Sequence, residues 1–418
     1  MEFKCPISRE TVHVVLAVST STGTAFGGTN PMPSFRIACG PRTIAPKRFH
    51  HVKLAMGVEL GKSALESAVL QYTSLETDGG DALRPKPESR EIVMRRVLRF
   101  VLWGLISVAA LGGALFGYFV YSPAPAVPRL SGTLTKGTIE VGGLKRTYLT
   151  YVPRGLAKGA PLVMVMHGSD ENGARIRIET GYGFERLADE RGFAVVYPDG
   201  YEGYWNACNI VGDYSANKLN IDDVGFLTGV VDTLITEIGV HRDHVFATGV
   251  SRGGHMAFRL ALEAPARFRA VAAVGANVPT PDNFKCRRAG PGTSSVMIMN
   301  GTMDPLNPFD GGEVKLFGLF IGRGKVRSSR ESGQYFADLN HIAGAPQTSD
   351  RQVADGVHVE QARWRDDSKV EVELVAIHGG GHGIPQPYRR RPRLLGPSPK
   401  EPNGPAVIWA FFERQRPK

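Results

Sequence analysis

The stretch Gly249-Val250-Ser251-Arg252-Gly253 constrains the fold more tightly than any other part of this 418-residue chain. Just before it, His244 to Thr248 is rich in β-branched and aromatic residues and reads as a buried strand. Just after it, Gly254 to Ala264 reads as a helix. A strand that turns into a helix within so few residues holds the intervening serine in a strained backbone conformation with its hydroxyl exposed. Strand and helix then pass so close that β-carbons would collide, which is why glycines flank the serine. Ser251 is therefore a candidate nucleophile at a strand-to-helix elbow. The same pentapeptide also occurs in ordinary glycine-rich turns, and its flanking strand and helix set this one apart.

Strands and helices alternate on both sides of the elbow. Gly137 to Val152 alternates in polarity about a Gly-Gly turn and predicts an antiparallel hairpin. Pro161 to Met166 and Ala194 to Tyr197 read as buried strands, with a helix around Arg175 to Glu190 between them. A longer helix is expected from Gly225 to Glu237. Ala270 to Val274, Ser295 to Met299 and Val370 to Ile377 are further apolar strands, and Pro405 to Arg414 closes the chain as a helix. This order predicts an α/β protein whose mostly parallel sheet carries helices on both faces. Active sites in such sheets gather at the carboxyl ends of the strands.

A serine hydroxyl needs a base within hydrogen-bond reach, and the base needs an acid to orient it. Asp304 lies just beyond the strand ending at Met299, in the loop Asn300-Gly-Thr-Met-Asp304-Pro305. Asp310, farther into that loop, is its competitor. His382 follows the last strand through Gly379, Gly380 and Gly381, which let a loop bring the ring back across the sheet edge. His378 sits at the strand end in a structural position. His255 points down the elbow helix and reads as packing. Developing negative charge on the substrate requires two donors. The Arg252 amide, just after the serine, is one. The Ser169 amide, aimed by Gly168 in the loop after Met166, is the other.

Val101 to Tyr121 carries no charge and is long enough to cross a ~30 Å hydrocarbon core as a helix. Arg95, Arg96 and Arg99 precede it and no basic residue follows before Arg129, so the chain after Tyr121 is expected outside the cytoplasm. The length favours a membrane anchor, while Ala124-Pro125-Ala126 resembles a cleavage site and keeps a removed signal as the alternative. Residues 1–93 show no sustained period apart from some helical character between Val52 and Leu75. They are expected to be a disordered tail or an upstream misassignment, with translation starting at Met94. The expected organisation is thus 1–93 extension, 94–121 membrane helix, 122–136 linker and 137–418 catalytic domain. The net charge of +10 permits an anionic partner. The basic residues are scattered without a nucleic-acid motif, however, and no nucleic-acid partner is expected. Hydrophobic content of 42% and charged content of 22% are those of a globular protein. Four cysteines without a Cys-x-x-Cys pair make neither a disulfide scaffold nor a zinc site, and no metal or other cofactor is expected.

From Gly137 onward the chain resembles the extracellular esterase family that includes polyhydroxybutyrate depolymerase-like, feruloyl esterase-like and acetylxylan esterase-like proteins, which have the α/β-hydrolase fold. The resemblance rests on motifs in order: Pro161 to Gly168, Tyr197-Pro-Asp-Gly200 with Trp205-Asn206, and Asp222 to Phe226. It continues through Gly249 to Ala257, Asn300 to Pro305 with Gly311-Gly312, and Gly379 to His382. It implies Ser251 as nucleophile, Asp304 as acid and His382 as base. The loop at His167-Gly168 would build the oxyanion hole, and His167, Gly168 and Trp205 would lie against substrate. It also implies a disulfide between Cys208 and Cys286. Two departures stand out: Gly383-Ile384-Pro385 replaces an aromatic after the histidine, and Arg252 replaces an asparagine.

The reading is an exported or membrane-tethered serine esterase that works through an acyl-enzyme. Its partners are an ester substrate, small or polymeric, and the membrane through the N-terminal helix. The rivals are a lipase or peptidase on the same fold and a non-catalytic surface binding protein. A peptidase wants a cap domain for which there is no room. For a lipase, Val314 to Val326 could serve as a small lid.

Overall fold

The computed structural model describes residues 87–418 apart from 213, 291, 316–321, 354–355, 367–369 and 417–418. The expectations for residues 1–86, and part of the Val314–Val326 segment, lie outside the described residues. The second of the chain's two units, Arg90–Lys418, carries the fold. The leading helix α1, Pro87–Phe119, begins with proline in the first turn, where its missing N–H costs nothing. It therefore starts ahead of Met94, inside what the sequence suggested was an unstructured extension. It ends just before Ser122-Pro123, the start of the proline-rich tether. Its large apolar side chains, Phe100, Trp103 and Val108 among them, are exposed on every side.

A ten-stranded sheet forms the body. In chain order its strands are β1 (Thr133–Val141), β2 (Leu144–Val152), β3 (Leu162–Met166), β4 (Ala194–Pro198), β5 (Val245–Val250), β6 (Ala270–Val274) and β7 (Ser295–Gly301). A small separate pair, β8 (Gly312–Glu313) and β9 (Lys325–Val326), follows. Then come β10 (Gln347–Gln352), β11 (His358–Arg365) and β12 (Glu371–Ile377). The spatial order is β1-β2-β4-β3-β5-β6-β7-β12-β11-β10. The six strands from β4 to β12 run parallel, and antiparallel pairs flank them at each edge.

Alternate residues of the central strands feed two cores. Leu162, Met164 and Met166 face one, with Val245 and Ala247, while Val163, Val165 and Phe246 face the other. Helices α2 (Gly173–Glu179), α3 (Gly183–Arg191) and α8 (Gly404–Arg414) cover the second face. There Trp409 stacks on Phe193 at 4.0 Å, and Phe412 stacks on Phe246. The opposite face is covered by α5 (Asp223–Ile238), α6 (Arg252–Glu263) and α7 (Ser329–Leu339), the short helix α4 (Ser215–Lys218) lying among the loops. Burying each of these large side chains contributes about 1.5–3 kcal/mol. Where one helix was expected around 175–190 there are two, because Gly181 and Tyr182 both take left-handed φ. The hairpin starts at Thr133, four residues ahead of Gly137, and so takes up the last four residues, 133–136, of what was expected to be linker from 122 to 136.

This connectivity creates a crevice. The chain passes from β3 outward to β4 on one side, then returns to place β5 on the other side of β3. Crossovers therefore diverge at the carboxyl ends of β3 and β5, the position where open α/β sheets bind ligands.

Candidate active site

Ser251 occupies the turn between β5 and α6 with φ 56° and ψ −115°, a conformation that L-residues resist. Its amide donates to the Val274 carbonyl at 2.8 Å, which helps fix the turn. A β-carbon on Gly249 would lie 2.3 Å from the Gly253 backbone, and one on Gly253 would lie 2.5 Å from the Met166 carbonyl oxygen. Glycine is required at both positions because the strand, the helix and the end of β3 meet there.

Asp304 follows β7 and His382 follows its parallel neighbour β12, so the sheet brings two distant loops together. The Asp304 carboxylate is fully buried and accepts from His382 Nδ1 at 2.7 Å. Its other oxygen accepts from the Leu306 and Asn307 amides, both at 2.8 Å. Both carboxylate oxygens are thereby engaged by donors, which locks the carboxylate in place. With Nδ1 committed to the carboxylate, Nε2 of the neutral ring is left as the acceptor. The His382 amide donates to the Leu395 carbonyl at 2.7 Å, pinning the glycine loop from the far side. Asp310 is exposed, and His378 turns outward to Glu360 at 3.5 Å.

Ser251 and His382 face the same space. They stand where a tight pocket of about 40 Å³ meets a wider cleft of about 380 Å³. Ser169 also lines both, and its amide and that of Arg252 have no acceptor among the described residues. Gly168 lines the cleft, and its amide donates to Glu171 Oε2 at 2.9 Å, tying the loop closed. Burial raises the Glu171 pKa above the ordinary carboxylate value.

His167 and Trp205, expected against substrate, instead lie beneath the site, fully buried and outside the lining of either cavity. Their job is to shape the loop. Gly200 N–H donates to His167 Nε2 at 2.8 Å, so the ring proton sits on Nδ1, 2.7 Å from the Gly168 carbonyl. The Trp205 indole donates to the His167 carbonyl at 3.0 Å. Desolvation lowers the His167 pKa to about 4, so the ring is neutral at ordinary pH. Asp223, from the Asp222–Phe226 motif, accepts from the Asn206 amide and pairs with Arg146 at 2.7 Å, which holds the Trp205-Asn206 segment in turn. Next to it, Cys208 and Cys286 are disulfide-bonded.

Several residues of the tight pocket's wall were missed or misread in the sequence. His255 is no mere packing residue: it lines the tight pocket, and desolvation pushes its pKa down to about 3. Asn307, which carries no motif signal, is buried with its amide at the same wall. Its position two residues beyond Asp304-Pro305 was the available hint. The Arg252 side chain, noted in the sequence only as a departure beside its oxyanion amide, extends back under the pocket. It donates to the Trp205 carbonyl at 2.9 Å and to Asn209 and Asn217, and lies over the Tyr214 ring at 3.9 Å.

The doubly covered sheet, its switch-point crevice and the strained serine elbow define the α/β-hydrolase class. The family model described as Esterase PHB depolymerase matches residues 146–285. A relative described as putative esterase NocK, from Nocardia uniformis subsp. tsuyamanensis, is 30% identical over 294 residues. That match spans 67% of this chain and 83% of the relative. Feruloyl esterase C of Emericella nidulans is 29% identical across 45% of this chain and 65% of its own length. Among solved structures, an acetyl xylan esterase from Aspergillus awamori superposes with a TM-score of 0.45 at 18% identity, covering 60% of this chain and 94% of that one. The chain belongs to the PHB depolymerase esterase family.

Proposed function

We propose that Ser251, His382 and Asp304 form the catalytic triad of this esterase and that the reaction passes through an acyl-enzyme. His382 Nε2 takes the Ser251 proton as the oxygen attacks the ester carbonyl. The Ser169 and Arg252 amides receive the negative charge that develops on the carbonyl oxygen. His382 then returns the proton to the leaving alcohol, and a water activated by the same ring releases the acid. Asp304 keeps the ring in the tautomer this requires and stabilises the imidazolium. The 2.7 Å bond between Asp304 and His382, at a ring that shares its cavity with Ser251, carries this reading. Further support comes from the uncommitted amides beside the serine.

Ser251→Ala is expected to lower kcat for p-nitrophenyl acetate by at least about a thousandfold and to abolish labelling by a fluorophosphonate, with the circular dichroism spectrum unchanged. Wild-type rates in that variant would exclude Ser251 as nucleophile. The same labelling separates an esterase from a non-catalytic binding protein on this scaffold. We further read the enzyme as held at the cytoplasmic membrane by α1 with its catalytic domain outside, or released from it by cleavage. Among the described residues α1 is the one helix long and apolar enough to cross a bilayer, over Glu91–Phe119.

A further inference from the structure

The tight pocket beside Ser251 has an unusual charge pattern. Two guanidinium groups flank one ring on its wall: Arg252 lies 3.9 Å from the Tyr214 centroid and Arg323 lies 5.2 Å from it. Arg252 is almost fully buried, yet its hydrogen-bond partners are all neutral: the Trp205 carbonyl and the Asn209 and Asn217 amide oxygens. Arg323 makes no ion pair with a described residue. Lys315, at the rim, is paired with Glu313 at 3.5 Å on the exposed side. No aspartate or glutamate is among the described residues lining this pocket, whereas Glu171 and Glu179 line the wider cleft. Arg252 remains protonated: burial, with Arg323 and Arg259, lowers its pKa only to about 10, while Tyr214 and Asp223, which is paired with Arg146, act the other way. Desolvated positive charge without a counter-ion is costly unless something compensates it.

Asn307 makes the same point independently. Its side chain is 3% exposed and lines the pocket, and neither its amide nitrogen nor its amide oxygen has a hydrogen-bond partner among the described residues. A buried amide in that state is a donor waiting for an acceptor. The pocket, at about 40 Å³, has room for a group of a few atoms.

We propose that the tight pocket receives a carboxylate carried by the ester itself, so that the preferred substrates are anionic esters: half-esters of short diacids, or acylated hydroxy acids with a free carboxyl. The carboxylate accepts from Asn307 Nδ2 and faces the Arg252–Arg323 pair. It thereby sets the scissile carbonyl against Ser251. This inference deepens the triad reading above and rests on it.

Steady-state hydrolysis followed by acid release tests both positions for the carboxylate. Monoethyl succinate is compared with neutral ethyl isocaproate for the acyl side, and acetoxyacetate with isobutyl acetate for the alcohol side. In at least one pair the anionic ester is expected to have the larger kcat/KM by about tenfold or more, the scale of a charge-assisted contact. That preference should shrink as sodium chloride is raised, and in Arg323→Gln and Asn307→Ala the ratio within the pair should collapse toward one. Cleavage of the neutral esters with no anionic preference in either pair would overturn this inference while leaving the esterase reading intact. So would a preference that salt and both substitutions leave unmoved. Failure to cleave any ester, p-nitrophenyl acetate included, would overturn both.

Discussion

Both ring nitrogens of His167 are occupied, one as acceptor for Gly200 and one beside the Gly168 carbonyl, in a site closed to water. Its pKa of about 4 in the folded chain lies below its ordinary value of 6.5, because desolvation disfavours the charged ring. The unfolded chain therefore binds more protons between these values. Stability is fully present above about pH 6.5 and is lost as pH falls toward 4, by up to about 3 kcal/mol from this residue. His255, with a pKa of about 3, acts in the same direction. Glutamine offers a donor and an acceptor without titrating, so His167→Gln is expected to flatten the fall in Tm between pH 7 and 4.5. Parallel Tm curves for the variant and the wild type would show that His167 does not drive acid sensitivity. The same residue marks a limit of reading chemistry from sequence. A histidine next to Gly168 looked like a substrate contact, and only the packing of Trp205 beneath it reveals a brace.

Among the elements, α1 makes the most testable demand on the surroundings. From Phe100 to Phe119 its exposed apolar side chains form an uncharged hydrophobic surface, which a helix in water would have to leave solvated. At its end Arg393 donates to the Tyr118 carbonyl at 3.1 Å and stacks over the Tyr118 ring. The native protein is expected to sediment with membranes, to resist carbonate extraction and to be released by detergent. Full recovery in the carbonate supernatant, with the segment still present, would exclude an anchor. The elements that the sequence concealed share one cause. β10 is entirely exposed and polar, Gln-Thr-Ser-Asp-Arg-Gln, so no apolar alternation announces it. Its neighbour β11 buries only Val359, Ala362 and Trp364. Helix α7 did carry a local signal, the Ser328–Glu331 capping box, which precedes a segment of low apolar content. The central strands were legible because two cores bury them on both faces.

At the scale of the whole molecule, chain order and sheet topology converge on one edge. The pattern of strand ends preceding Gly168, Ser251, Asp304 and His382 was readable, because glycines mark each loop and Pro305 follows Asp304. What could not be read was the wall of the pocket. Arg323, Asn307 and Tyr214 come from segments without periodicity and meet only through the three-dimensional path of the chain. The torsion at Ser251 also has a consequence for durability. A left-handed serine costs about 1–3 kcal/mol, and glycine relieves that at the expense of a looser unfolded chain. Ser251→Gly and Ser251→Ala both delete the hydroxyl, yet only glycine is at ease at φ 56°. The glycine variant is therefore expected to melt about 2–4 °C above the alanine variant, and equal melting points would mean the turn stores no tension. Working catalyst and toughest fold are then two different sequences, separated by one side chain at the tip of β5.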